Sequence, residues 1–353
     1  MENISTLTQI LRDSDCHFKV HDLGRRIELI PNDEFESIEL GRQAYPYPIQ
    51  RQAQFAITYW NEQKQPWIWF LKFDLDERGL LNSADIGNFI KFVLEAMGSR
   101  LQKELNEEVQ EQLASNPYTF KPKEDKLAVF NSQVSAELDL SPSQYYAHAL
   151  TYFKGDLGWN NWQTVGLQGI TDICARLKEL NNELMVKKSL SQLPTQPLYA
   201  LLGALEHCDI SDSLATRLYD LALDQLNHPE GDLFLLSALA RALSGNKGNK
   251  GNKGNKLTSL VTAILSESKY CHQEVLIAIA GRCWEPLQQS TLAEQFLVRL
   301  AQTNNQGLFN QLFADLVMQP KLRMVILPML HQAPSQELAQ ALIALQNNTK
   351  GQS

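Results

Sequence analysis

The sequence predicts a small α+β domain at the N-terminus followed by an all-α helical-repeat array, HEAT-like or tetratricopeptide-like, so that the chain is mostly α overall. Three observations predict it. First, Leu201-Leu202-Gly203-Ala204-Leu205-Glu206 returns 34 residues later as Leu235-Leu236-Ser237-Ala238-Leu239-Ala240. It appears again as Leu276-Ile277-Ala278-Ile279-Ala280-Gly281, and more faintly 34 residues upstream as Leu167-Gln168-Gly169-Ile170-Thr171-Asp172. A short apolar helix recurring at a near-fixed period marks stacked helical repeats, which bury one face and present another. Second, two aromatic runs, Gln54–Trp60 and Trp67–Phe73, read as a β-hairpin. Third, no stretch beyond about residue 83 reads as a convincing strand.

The elements follow in order. Residues 4–14 form a short amphipathic helix, with Leu7, Ile10 and Leu11 on one face. Residues 16–40 read as extended: Phe18 and Val20 alternate with polar neighbours, as do Ile27 and Leu29, then Ile38 and Leu40. Pro31-Asn32-Asp33 reads as a turn between them. Tyr45-Pro46-Tyr47-Pro48 is extended, because each proline holds its predecessor out of the α region. The second hairpin strand is apolar on both faces and is expected mid-sheet, covered on each side. One cover is the next helix, where Ile86, Phe89, Ile90, Val93, Leu94 and Met97 repeat at helical spacing. These elements make residues 1–100 the α+β domain.

Residues 101–160 are expected to be a helical connector. A polar helix continues over 99–115, and Ser115–Glu124, with two prolines, reads as a linker. Ser141-Pro142-Ser143-Gln144 predicts a helix start with Ser141 as N-cap, and Gly155-Asp156-Leu157-Gly158 ends that helix. Residues 161–347 are the expected repeat array, within which Thr291-Leu292-Ala293-Glu294 reads as a capping box. Four Gly-Asn-Lys copies at 245–256 read as a loop insertion that lengthens one 34-residue step to 41. Residues 348–353 are a polar tail.

Composition excludes several classes. Charged residues at 20% and hydrophobic residues at 44% are those of a folded chain, not a disordered one. No apolar run reaches the roughly 18 residues of a membrane span, so no membrane partner is expected. The opening Met1-Glu2-Asn3-Ile4-Ser5 lacks a basic and an apolar leader region, so no signal peptide is expected. The five cysteines are odd in number and widely spaced, which fits a reduced, cytoplasmic protein. Residues 1–156 carry 24 acidic and 16 basic side chains, whereas residues 157–353 carry 16 of each. Neither half has the basic excess of a nucleic-acid groove, so nucleic acid is disfavoured as a partner.

The candidate chemistry is sparse. Asp74, Asp76 and Glu77 follow the apolar strand, and carboxylates at a strand end can hold Mg²⁺ or act as general acid and base. Structurally they read as an acidic turn, with Arg78 as ion-pair partner. His17 and His21 have ligand-like spacing but lack the further ligands that zinc needs. His207-Cys208 and Cys271-His272 match no catalytic pattern. Phosphate, dinucleotide and hydrolase motifs are missing, so no cofactor, metal or catalytic residue is assigned. Trp159 and Trp162 flank two asparagines at a junction and are candidate binding residues, as are Tyr45 and Tyr47. The structural alternative for both pairs is ordinary packing.

The run through Phe73-Asp74-Leu75-Asp76-Glu77, with the chain length, resembles an uncharacterised bacterial protein family of unknown function marked by a short Leu-Asp-Glu motif, here Leu75-Asp76-Glu77. The resemblance covers the whole chain and implies no activity, fold or ligand. The resemblance does not rest on the Gly-Asn-Lys tract, which reads as a private insertion.

The expected function is non-enzymatic: an interaction or adaptor protein whose helical-repeat surface binds an unidentified protein or peptide. The alternative is a metal-dependent enzyme with Asp74, Asp76 and Glu77 in its site.

Overall fold

The computed structural model describes residues 6–97, 111, 115–246, 255–330 and 335–350. The polar helix expected over 99–115 lies almost wholly outside the described residues. So do the middle of the Gly-Asn-Lys tract and residues 351–353 of the expected tail. The chain divides into two compact units, Met1–Lys123 with Met318–Pro320, and Glu124–Val317 with Lys321–Ser353.

The first unit contains α1 (Leu7–Asp13), β1 (His17–Asp22), β2 (Glu28–Ile30), α2 (Asn32–Glu39), β3 (Gln52–Trp60), β4 (Pro66–Asp74) and α3 (Ser83–Met97). The strands form one antiparallel sheet in the order β2-β1-β3-β4. Val20 lies opposite Ile57, Phe55 opposite Leu71, and Ile57 opposite Trp69. With a two-residue side-chain period, this register gathers those residues on one sheet face. Leu7 and Leu11 of α1, Phe35 and Ile38 of α2, and Phe89 and Val93 of α3 join them in one buried core.

Three expectations about this unit change. Residues 32–39 are helical, not extended: Pro31 supplies the N-cap residue, Asp33 and Glu34 occupy the first turn, and Phe35 and Ile38 are buried one turn apart. Acidic residues in a first turn favour the helix dipole, so the apparent turn signal was a helix start. Glu39, at the end of α2, is buried and accepts the Leu7 and Thr8 backbone N–H groups at 2.7 and 3.1 Å, together with the Thr8 hydroxyl. It satisfies donors at the open N-terminus of α1. Finally, β4 is an edge strand, not a central one. Residues 118–120, expected to be linker, cover that edge: Lys72 N–H donates to Tyr118 O at 2.8 Å, and Phe120 N–H to Phe70 O at 3.1 Å. The Phe120 ring meets Phe70 edge-on at 6.3 Å. The second apolar face of β4 is therefore met by a passing segment.

The second unit is helical. Its helices are α4 (Glu124–Glu137), α5 (Tyr146–Phe153), α6 (Leu167–Ala175), α7 (Asn182–Ser189), α8 (Thr195–Leu205), α9 (Asp212–Asn227), α10 (Leu233–Leu243), α11 (Asn255–Ser266), α12 (Gln273–Arg282), α13 (Ser290–Gln302), α14 (Gln306–Met318), α15 (Pro320–Ile326) and α16 (Gln336–Lys350). The last runs into the segment expected as a polar tail. The four echoed segments are α6, α8, α10 and α12, and each packs on the next. A second row, α7, α9, α11 and α13, packs in the same successive way, and α9 bridges to α10. The protein is thus mostly helical, with a small antiparallel sheet at its N-terminus.

The echo has a structural meaning at its eighth position, two residues beyond the repeated six. Cys174, Cys208, Ala242 and Cys283 occupy equivalent places, and all four are buried. A small side chain lets adjacent helices approach closely, which is the usual role of a buried free cysteine.

Neither expected cap forms as read. Tyr146, not Pro142, is the first residue of α5, and Ser143 accepts the Tyr145 N–H at 3.3 Å. The Ser143 N–H instead donates to buried Asp172 at 2.9 Å. Thr291 lies inside α13, whose N-cap Gln289 makes no side-chain cap. Tertiary contacts override both local signals.

The Gly-Asn-Lys tract is built into the fold at both ends. Asn255 and Lys256 open α11, and the Lys256 ammonium lies 6.0 Å from the centre of the Tyr219 ring. At the other end, a Cβ on Gly245 would lie 2.4 Å from Cys208 O and 2.5 Å from Leu205 O. Asn246 Nδ2 donates to Ile210 O at 2.9 Å. The first Gly-Asn therefore closes α10 against the end of α8, where only glycine fits.

Candidate functional site

The acidic turn leaves the end of β4. Asp74 is exposed and accepts Gln52 Nε2 at 2.9 Å. Asp76 accepts the backbone N–H groups of Arg78 and Leu80 at 2.8 and 2.9 Å, and Arg78 Nε at 3.1 Å. This is an aspartate folding its own turn. The Leu80 N–H, ahead of the Arg78 contacts, holds the Asp76 carboxyl below the usual aspartate range. Asp74, Asp76 and Arg78 line a cavity of about 650 Å³ with Glu39, Asn82 and Ser83, whereas exposed Glu77 lies outside the residues lining it. Leu75, first of the Leu-Asp-Glu triplet, is buried.

The histidines sit away from these carboxylates. His17 pairs with Trp60, at the opposite end of β3 from Gln52, the partner of Asp74. His21 is buried next to the end of β1, opposite Ala56. Among the described residues, no three of His, Cys, Asp and Glu gather as a metal-ligand set. The thiols are poorly suited to nucleophilic chemistry. Burial pushes the Cys174 thiol well up and the Cys271 thiol up to about 11, the reverse of what a reactive cysteine needs. His272 is committed elsewhere, its Nδ1 accepting the Glu274 N–H as the cap of α12.

The aromatic candidates separate. Tyr45 is fully buried, and its hydroxyl donates to Asp22 Oδ1 at 2.7 Å. Asp22 also accepts the Gly24 and Arg25 N–H groups, and Arg25 Nε donates to Pro48 O at 2.8 Å. The Tyr-Pro-Tyr-Pro segment is thus tied down by a buried polar network, and Tyr45 has no surface to offer a partner. Tyr47 is half-buried, and burial raises its phenol.

Trp159 and Trp162 begin and share a 3-10 turn, Trp159–Thr164. Gly155 ends α5 with φ +89°, a conformation suited to glycine, and the turn brings Trp159 edge-on to Tyr152 at 5.6 Å. Trp159 lines a groove of about 590 Å³ with residues of α5 and α7, and Trp162 lies outside that lining.

One feature escaped motif reasoning. At the C-terminal ends of the echoed helices, buried Glu206 faces two arginines from later helices. Arg282 Nε lies 3.2 Å from Glu206 Oε1, and Arg241 Nε 3.7 Å from Oε2. His207 Nε2 is also 3.2 Å from Oε1. The contact from α8 to α12 draws three helix ends together. Arg241 shares a face of α10 with Phe234, two turns away, which is 59% exposed and whose ring lies 6.3 Å from that of His272. Burial, ahead of the Asp232 charge, raises the phenol of half-buried Tyr199 of α8, and Arg241 acts against it. The signal was present in the echo, since His207, Arg241 and Arg282 all fall at its seventh place.

A family model described as "Protein of unknown function (DUF3549)" matches residues 2–346. The chain belongs to this family. No curated protein and no solved structure matches the chain. Membership therefore names a lineage and brings no activity with it.

Proposed function

We propose that this is a non-enzymatic interaction protein, and that α6 to α13 form a helical-repeat array whose echoed row presents the binding surface. The observation that carries the reading is Phe234, exposed in mid-row on α10 and on the same face as Arg241. Exposed aromatic and arginine side chains in company are the residue types that dominate protein–protein binding energy. The two-row succession of contacts, with a shared small residue at one echo position, supports a repeat arrangement. Five buried free cysteines fit a reducing, cytoplasmic setting. No helix among the described residues is long and apolar enough to cross a membrane.

The test compares the full wild-type chain with a Phe234→Glu/Arg241→Glu double variant as immobilised baits in lysate of the source organism. The reading expects a protein retained by the wild type and lost by the folded variant. An identical retained set for both baits would overturn it.

A further inference from the structure

The groove beside Trp159 carries an inference of its own. Its apolar wall is Phe153, Trp159, Leu180, Leu184 and Met185. Its size falls within the range of ligand-binding pockets. Two features set it apart from an ordinary surface dent. Leu180 is 85% exposed and Leu184 50% exposed, so the apolar surface continues beyond the groove onto its rim. Leu180 also holds φ +49°, a left-handed conformation that costs a branched residue about 1 kcal/mol. A large apolar side chain held in a strained backbone and turned to solvent is disfavoured on both counts, and a cover would relieve the exposure.

The charges select the cover. The charged residues lining the groove are Lys154 and Lys188, both exposed, and no carboxylate is among the described residues lining it. In a chain of net charge −8, a local cationic rim on an apolar groove favours a ligand that is apolar and acidic at once. Leu180 belongs to the groove wall and, at 85% exposed, also to its rim, so a small molecule within the groove would cover it only in part. A peptide would fill the groove and cover the rim together.

We propose that this groove docks an acidic amphipathic peptide segment of a partner protein. Its apolar side chains pack on Trp159, Leu184 and Met185, and its carboxylates meet Lys154 and Lys188. This rests on the reading of the helical unit as a binding unit but uses a different surface from Phe234 and Arg241.

The test is selection of a phage-displayed random 12-residue library on the full chain. Enriched peptides should combine Leu, Ile, Phe or Trp with Asp or Glu. A fluorescein-labelled enriched peptide should bind the wild type in an anisotropy titration and weaken as NaCl rises from 50 to 500 mM. Leu184→Glu, and separately Lys154→Glu/Lys188→Glu, should each weaken it at least tenfold. The lysine double variant should recover affinity for the same peptide with its acidic residues changed to Lys. Circular dichroism checks folding; should Leu184→Glu not fold, the exposed lysine pair decides. Phe234→Glu should leave the affinity unchanged, so that failure of the groove and failure of the α10 surface are read apart. No enrichment, enrichment without acidic residues, or affinity unchanged in the folded variants would overturn the proposal. So would a dimer, seen by sedimentation, that Leu184→Glu abolishes.

Discussion

The two units treat their conspicuous side chains in opposite ways. In the sheet unit, the residues that look chemically eventful are consumed by folding. Tyr45 and Asp22 bind each other in the core, Glu39 satisfies the start of α1, and Asp76 organises its own turn. In the helical unit, the sequence looks like ordinary apolar helix, yet Phe234, Leu180 and Leu184 remain open to solvent. The difference teaches that aromatic or acidic richness along a chain does not locate a surface. A polar side chain inside a small sheet domain must find partners, because an unsatisfied buried group costs about 1–3 kcal/mol.

The comparison can be broken most sharply at Tyr45. If its ring is core, Tyr45→Ala lowers the stability of the sheet unit by about 4 kcal/mol, read by urea denaturation with a core tryptophan as probe. A loss under about 0.5 kcal/mol, as for a surface residue, would reverse the assignment. The next effect lies in the helical unit. Gly245→Ala forces a methyl against two carbonyl oxygens and should cost about 2 kcal/mol, although the residue opens what reads as a low-complexity tract. A neutral result would restore that whole tract to the surface.

Leu180→Gly should act in the other direction. Relief of the left-handed strain, less the added backbone entropy of glycine, should stabilise the helical unit by roughly 0.5 kcal/mol. A destabilisation instead would mean that the leucine is packed and that its exposure does not mark a docking site.

The smallest effect concerns the acidic turn. The folded Asp76 carboxyl is depressed, so its contribution is present above the ordinary aspartate value of about 3.9 and is lost as pH falls through the depressed value. Titration followed by NMR should show the low midpoint. Arg78→Ala should raise it only in part, because the Leu80 N–H remains. An unshifted midpoint would free Asp76 from the turn and reopen the acidic cavity as a reactive site.

Much of this was legible in the chain. The hairpin, the helix over Ser83–Met97 and the echoed helices follow from side-chain periodicity, which local geometry imposes wherever one face is buried. The Ser141 and Thr291 caps were misread because a cap depends on where the helix begins, and neighbouring contacts such as Ser143 with Asp172 decide that. The helix at 32–39 was misread because Pro-Asn-Asp serves a turn and a helix start equally well.

The sequence by itself determined the division between a strand-bearing N-terminal region and a helical remainder, and the period that aligns α6, α8, α10 and α12. Periodicity and turn chemistry are local, and one chain displays them without its neighbours. Only the tertiary structure decided that Tyr45 is core, that residues 118–120 close the edge of β4, and that Glu206 gathers arginines from two later helices. It also decided that Trp159 lines a groove while Trp162 does not. Those outcomes join residues as many as 76 positions apart, and burial belongs to the packed neighbourhood, not to the residue that is buried.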